Sequence, residues 1–207
     1  MKDAYKLSLI GFFHPYKSLM LIKERRDELK LLPFLSLLVV AVAARFVYIY
    51  FSNFAVVDIS PYEANLFIEA GKIVVTIITW AICTFGLTTI FEGQAKLKET
   101  IMGCCIAIVP YIVGTLLLTI FSNLISSEEI EIFKSLSTFI YIYIGLLLII
   151  ALKVLNDMSL LKTIVLAASS AIAVFVVWGL IIIFISLIAQ LAVFFNEIIT
   201  EMKYIGG

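Results

Sequence analysis

The sequence predicts an all-α integral membrane protein, a bundle of five transmembrane helices, and three observations carry that expectation. Of 207 residues, 63% are hydrophobic and only 14% charged, against roughly 45–50% and 25% in an ordinary soluble domain, and the mean hydropathy is +1.14. The apolar residues gather into five runs, about 31–51, 71–91, 100–121, 138–155 and 163–188, each near the ~20 residues that cross a ~30 Å hydrocarbon core. The Lys and Arg residues between the runs fall on alternate connections. A formal net charge of zero excludes a nucleic-acid footprint, which needs a basic surplus on one face.

Residues 1–30 form the most charged part and are predicted as a cytoplasmic amphipathic arm. Lys2, Lys6, Lys17, Lys23, Arg25, Arg26 and Lys30 stand against Asp3, Glu24, Asp27 and Glu28, seven minus four leaving plus three. Tyr5, Leu9 and Phe12, then Leu19, Ile22 and Leu29 after Pro15, recur at helical spacing, which predicts two short helices on the membrane surface. Lys17, Lys23, Arg25, Arg26 and Lys30 are the candidates for anionic lipid, at roughly 1 kcal/mol per basic contact. The plainer reading is an arm that only sets topology.

In the first span, Ala41-Val42-Ala43 resembles a signal-peptidase site, but the apolar run continues past it and no cleavage is expected. Arg45 is the one charge well inside a span. It stands close enough to Tyr48, Tyr50 and Phe51 for its long side chain to reach the outer headgroups. The alternative is a buried charge paired with the acidic stretch that holds Asp58, Glu63 and Glu69. Ser60-Pro61-Tyr62-Glu63 reads as a helix start, so the second helix is expected to begin there and to run to Phe91. Thr76, Thr79, Cys83 and Gly86 share a narrow sector of it, small and weakly polar as helix seams in lipid often are.

Gly93, with Lys96 and Lys98 close behind, marks a tight hairpin into the third span. There Gly103, Ala107, Pro110 and Gly114 give a second small-residue face with a kinking proline in it. Ser126-x-x-Glu129 repeats a capping pattern before the fourth helix, whose Phe139, Tyr141 and Tyr143 form an aromatic belt. Asn156-Asp157-Met158 makes a turn, and Ser159 is expected to cap the fifth helix. Leu191, Phe194, Ile198, Met202 and Ile205 keep a helical stripe, which predicts an outer amphipathic tail over 191–207.

The arm, the 91–99 hairpin and the 153–162 turn hold seven, two and two basic residues, against zero, one and one in the 52–70 loop, the 122–137 loop and the tail. Eleven against two places the N-terminus in the cytoplasm and the C-terminus outside.

No Walker motif, Gly-rich dinucleotide loop, HExxH or serine elbow is present, so neither catalysis nor a cofactor is expected. The single histidine, His14, cannot build a metal site. Cys83, Cys104 and Cys105 lie in apolar runs as small hydrophobes. The spans carry no Asp or Glu at depth, which speaks against proton coupling. Glu92, Gly93 and Asp157 at the inner turns are partner candidates, although solvation of helix ends accounts for both acids more simply.

The stretches FFHPYKSLMLIK, WAICTFGLTTIFEGQAKLKETIMGCCIAIVPYIV and IIALKVLNDMSLLKTIVL together resemble the bacterial branch of the YIP family of five-span membrane proteins, over about residues 8–190. The hairpin glycine, Pro110-Tyr111 and the turn from Leu155 to Lys162 carry the resemblance. The Asp-Leu-Tyr-Gly-Pro motif of eukaryotic members is absent from the arm, so Rab-type binding is not carried over. What the resemblance implies is a non-catalytic accessory or scaffold in a bacterial plasma membrane. Its partners would be the lipid bilayer and either the membrane subunits of an ABC transporter or a second copy of itself. The competing expectation is a small channel or uncoupled carrier for a lipid or small solute, lined by Thr76, Thr79 and Cys83.

Overall fold

A computed structural model describes residues 2–53, 62, 64–125 and 129–205, and the side chains of residues 5–53, 62, 64–125 and 129–198. Asp58, Ser60, Pro61, Glu63 and Ser126 therefore lie outside the described residues, as do the side chains of Met202 and Ile205. All regular structure among the described residues is helical. Five helical stretches are long and apolar enough to cross a membrane.

The first two helices, α1 (Lys2–Phe13) and α2 (Pro15–Glu24), meet at His14, where Pro15 supplies the first residue of α2. Proline suits that position because the missing N–H has no intrahelical acceptor there. The pair is a hairpin inserted into the bundle and does not form the surface-lying arm expected from the sequence. Ser18 Oγ donates to the Leu7 carbonyl at 2.7 Å, and Leu7, Ser18, Leu19 and Ile22 are buried. A Cβ on Gly11 would stand 2.6 Å from the Ile106 side chain, which is half-way along the third span. Twelve and ten residues at 1.5 Å make each leg about 15–18 Å long, half a hydrocarbon core. Leu9, Phe13, Tyr16 and Met20 face outward.

The first span is α3 (Leu32–Phe51), with Pro33 in its opening turn. The second, α4 (Leu66–Ile90), starts six residues later than Ser60. Asn65 is its cap, in extended backbone, its side-chain oxygen accepting from the Phe67 and Ile68 amides at 3.0 and 3.3 Å. The third span is broken into α5 (Leu97–Ala107) and α6 (Val109–Ser122) at Ile108, with Pro110 in the first turn of α6, and Glu99 Oε2 caps the start of α5 by accepting from the Lys96 amide at 3.2 Å. Of its most apolar stretch 67% is buried, against 0% for the last span, so α5 and α6 form the axis of the bundle.

The fourth span, α7 (Ile130–Asn156), extends eight residues before the expected 138 and ends where Asp157 takes left-handed backbone at φ 51°. The last helix, α8 (Leu160–Ile205), runs 46 residues without interruption, about 69 Å. The expected separate tail over 191–207 is the continuation of this helix through Ile205. Only its opening turns pack, with Thr163, Leu166, Ala167 and Ser170 buried between α4 and α7.

Candidate functional site

Two constellations of charge stand at opposite ends of the bundle. The end carrying Lys23 and the two tight turns is the arm side, and the end carrying Asn65 is the far side.

On the far side, Arg45 of α3 reaches Glu69 in the first turn of α4. Arg45 Nη2 and Nε lie 2.8 and 2.9 Å from Glu69 Oε2, while Lys72 pairs with Oε1 of the same carboxylate. Both oxygens are thus engaged, and Glu69 is only 4% exposed. The Arg45 guanidinium also lies over the Tyr48 ring at 5.2 Å, a cation–π contact. Of the two readings of Arg45, the paired buried charge is the one observed, and Glu69 is its partner. Glu69 and the buried Glu99 stand in the first turns of spanning helices, at the helix ends and not at the depth where no acidic group was expected.

Beside this trio a crevice of about 340 Å³ opens between α4 and α7. Ile73, Thr76 and Ile77 form one wall, Ile144 and Leu148 the other, and Ile108 and Tyr111 the floor, with Arg45, Glu69 and Lys72 at one end. It exists because α4 packs on α3, α5 and α8, and α7 on α2, α5, α6 and α8. The two helices share neighbours without forming a seam of their own.

On the arm side, the two turns lock together. The Ala95 amide donates to Asn156 Oδ1 at 3.2 Å, and Asn156 Nδ2 donates to the Leu152 carbonyl at 3.0 Å. Glu92 and Asp157 both hold positive φ, 59° and 51°, an uncommon state for residues with a side chain. Gly93 between them needs no such backbone. It is required by crowding, because a Cβ there would stand 2.5 Å from Asn156 Oδ1 and 2.9 Å from Thr88. The inserted hairpin is latched to this platform by the ion pair Lys23–Asp157. A bond from Lys98 Nζ to the Arg26 carbonyl at 3.0 Å and a Lys96–Asp27 pair at 3.8 Å add to it. A mixed-charge hollow of about 730 Å³ lies beside the latch, between α2, Gln94 and the end of α7.

The Yip1 domain matches residues 10–183. The chain belongs to the Yip1 domain family. The match is to the Yip1 domain as a whole and does not single out a bacterial branch. No curated protein and no solved structure matches the chain. The Yip1 region takes in both charge constellations and stops at 183, where α8 has already left the bundle.

Within the Yip1 region the two small-residue faces have opposite surroundings. Gly103, Ala107 and Pro110 are buried, a Cβ on Gly103 would meet Leu155 at 2.8 Å, and one on Gly114 would meet Ile140 at 2.6 Å. This face is an internal seam with α7. On α4, by contrast, Thr76 and Gly86 are exposed, Thr79 and Cys83 half-exposed, and a Cβ on Gly86 would meet nothing within 4 Å. The seam side of α4 is one step round the helix, at Ile77, Ala81, Thr84 and Thr88. Of the basic candidates, Lys17, Arg25, Arg26 and Lys30 are exposed and Lys23 is engaged. Sequence reasoning passed over Asn65, Lys72, Asn156 and the Tyr111–Tyr141 ring pair, whose centroids are 6.3 Å apart. Asn65 had a usable signal, an asparagine just before an apolar run. Among the described residues no group of three metal-ligating side chains comes together.

Proposed function

We propose that this protein is a non-catalytic membrane scaffold or accessory subunit, whose outward faces on α4 and α8 pack against the spans of a partner transporter of the ABC class or of a second copy. The observation that supports this is the bare surface of α8. It is apolar on all sides, no residue of its most apolar stretch is fully buried, and every residue from Gly179 to Ile198 is exposed. In lipid, helices associate through close packing and not through removal from water, so the part of a spanning helix that lies beyond its neighbours is available to a partner. Gly86 and Gly179, each with open space where a Cβ would stand, allow close approach there. In this reading the membrane is a bacterial plasma membrane, and the excess of Lys and Arg supports a cytoplasmic arm side.

The test is purification of the tagged protein from its native membrane in mild detergent, beside Gly86→Leu and Gly179→Leu. Recovery of transporter membrane subunits, or of a defined oligomer, is expected from the parent protein, and loss of it from the variants at unchanged thermal stability. A monodisperse single chain in all three cases overturns the scaffold. A conduit lined by Thr76, Thr79 and Cys83 is less well supported, since that stripe faces away from the core and only Thr76 borders the crevice.

A further inference from the structure

We propose that the crevice between α4 and α7 binds one anionic phospholipid, with its phosphate on Arg45 and Lys72 and an acyl chain along the apolar walls. This goes beyond the scaffold and needs no partner protein. The volume of about 340 Å³ falls in the range of about 300–1,000 Å³ typical of pockets that hold a small ligand. Its walls are mostly apolar, Ile73, Ile77, Ile144 and Leu148 with Thr76 and Tyr141 among them, and its charges are confined to one end.

The charge at that end selects the headgroup. Arg45 and Lys72 share the single carboxylate of Glu69, so among the described residues the trio carries one surplus positive charge. Arg45 uses Nε and one Nη2 hydrogen on Glu69, leaving three of its five N–H donors. The Lys72 side chain is 59% exposed and has ammonium hydrogens to spare. A fork of this kind fits phosphate oxygens in a bidentate way. Arg45 lies six residues before the end of α3 and Lys72 six after the start of α4, about 9 Å along each axis. Long side chains at that depth reach the headgroup level. A lipid in the crevice therefore has its phosphate and its chain where the matching groups are. A zwitterionic headgroup brings its own cation and leaves the surplus uncompensated, and an apolar segment of a partner brings no anion.

The experiment reconstitutes the whole protein in vesicles of equal parts phosphatidylglycerol and phosphatidylcholine, releases it in mild detergent, and counts retained lipid by native mass spectrometry. One phosphatidylglycerol per chain is expected, kept in preference to phosphatidylcholine and undisplaced by excess inorganic phosphate. Lys72→Gln lowers that preference about fivefold, the effect of one basic contact. Thr76→Trp, at an exposed position on the crevice wall, removes the retained lipid. Both variants alter exposed residues, and circular dichroism checks their folding. Gly179→Leu keeps the lipid, which separates this site from the association faces. Equal retention of the two lipids, displacement by phosphate alone, or full retention by folded Thr76→Trp overturns the proposal.

Discussion

Arg45 and Glu69 depend on one another in a way neither side chain would in water. With Glu69 almost fully buried and Arg45 mostly so, removal of Glu69 leaves both Arg45 and Lys72 without their counterion, while removal of Arg45 leaves Glu69 with Lys72 alone. Glu69→Leu is expected to cost about 3–5 kcal/mol and Arg45→Leu less, because Lys72 still pairs the carboxylate, whereas replacing both by leucine recovers much of the loss. Thermal unfolding of the four proteins in detergent gives the answer, and additive losses would show that the pair is not coupled. Glu99 is a different case. Its Oε2 caps α5, while Oε1 is buried without a hydrogen-bond partner among the described residues. Glutamine keeps the capping oxygen and removes the buried charge, so Glu99→Gln should melt at or above the parent temperature. Glu99→Ala should lose about 1 kcal/mol with the cap.

The two arm-side turns and the open glycines make a matched comparison. Gly93→Ala forces a Cβ against Asn156 and Thr88 and is expected to destabilise by about 1–3 kcal/mol. Gly86→Ala meets nothing and is expected to stabilise α4 by up to ~1 kcal/mol, through reduced backbone freedom. If both variants melt alike, the packing of the 91–95 turn on Asn156 is wrong.

At the scale of elements, the inserted hairpin is held to the arm-side turns only weakly. Its legs are short, and its arm-side latch rests on exposed or half-exposed ion pairs worth about 0.2–1 kcal/mol each. Asp157→Asn should therefore raise amide exchange across Pro15–Glu24 while leaving α5 and α6 protected. Equal exchange in the parent and the variant would show that Leu19 and Ile22 hold the hairpin unaided.

This hairpin was also the element least legible in the sequence. Leu19 and Ile22 point inward as their spacing suggested, but Leu9, Phe13, Tyr16 and Met20 are apolar and outward. The arm is thus apolar on both faces along the hairpin, and its charge clusters from Lys23 onward. The inner face carries Ser8, Gly11 and Ser18, all buried, a small-residue signal of close helix contact that three aromatic and aliphatic positions outweighed. On α4 the weakly polar sector is the outer one, away from the internal seam. Thr84 and Thr88 could be buried because their hydroxyls bond carbonyls of their own helix, to Trp80 at 2.8 Å and to Phe85 at 2.6 Å. Hydroxyls satisfied in this way give no outward sign of which face is hidden.

For the whole molecule, the five spans were legible because an apolar run of about 20 residues matches the thickness of a hydrocarbon core and far exceeds what a soluble core helix needs. The family was legible in the turns. The Arg45–Glu69 pair was legible only as one of several alternatives and the part of Lys72 not at all, since pairing between residues 24 apart in sequence depends on how α3 and α4 pack.

The hairpin also makes the two halves of the molecule unequal. A plane through the arm-side half cuts seven helices, α1, α2, α3, α4, α5, α7 and α8, whereas one through the far half cuts five, α3, α4, α6, α7 and α8. Each helix with its side chains is about 10–12 Å across, so one lipid monolayer must yield room for two helices more than its opposite. Every copy that inserts with this orientation adds cross-section to the same monolayer, and a membrane crowded with them carries a lateral imbalance set by the backbone itself.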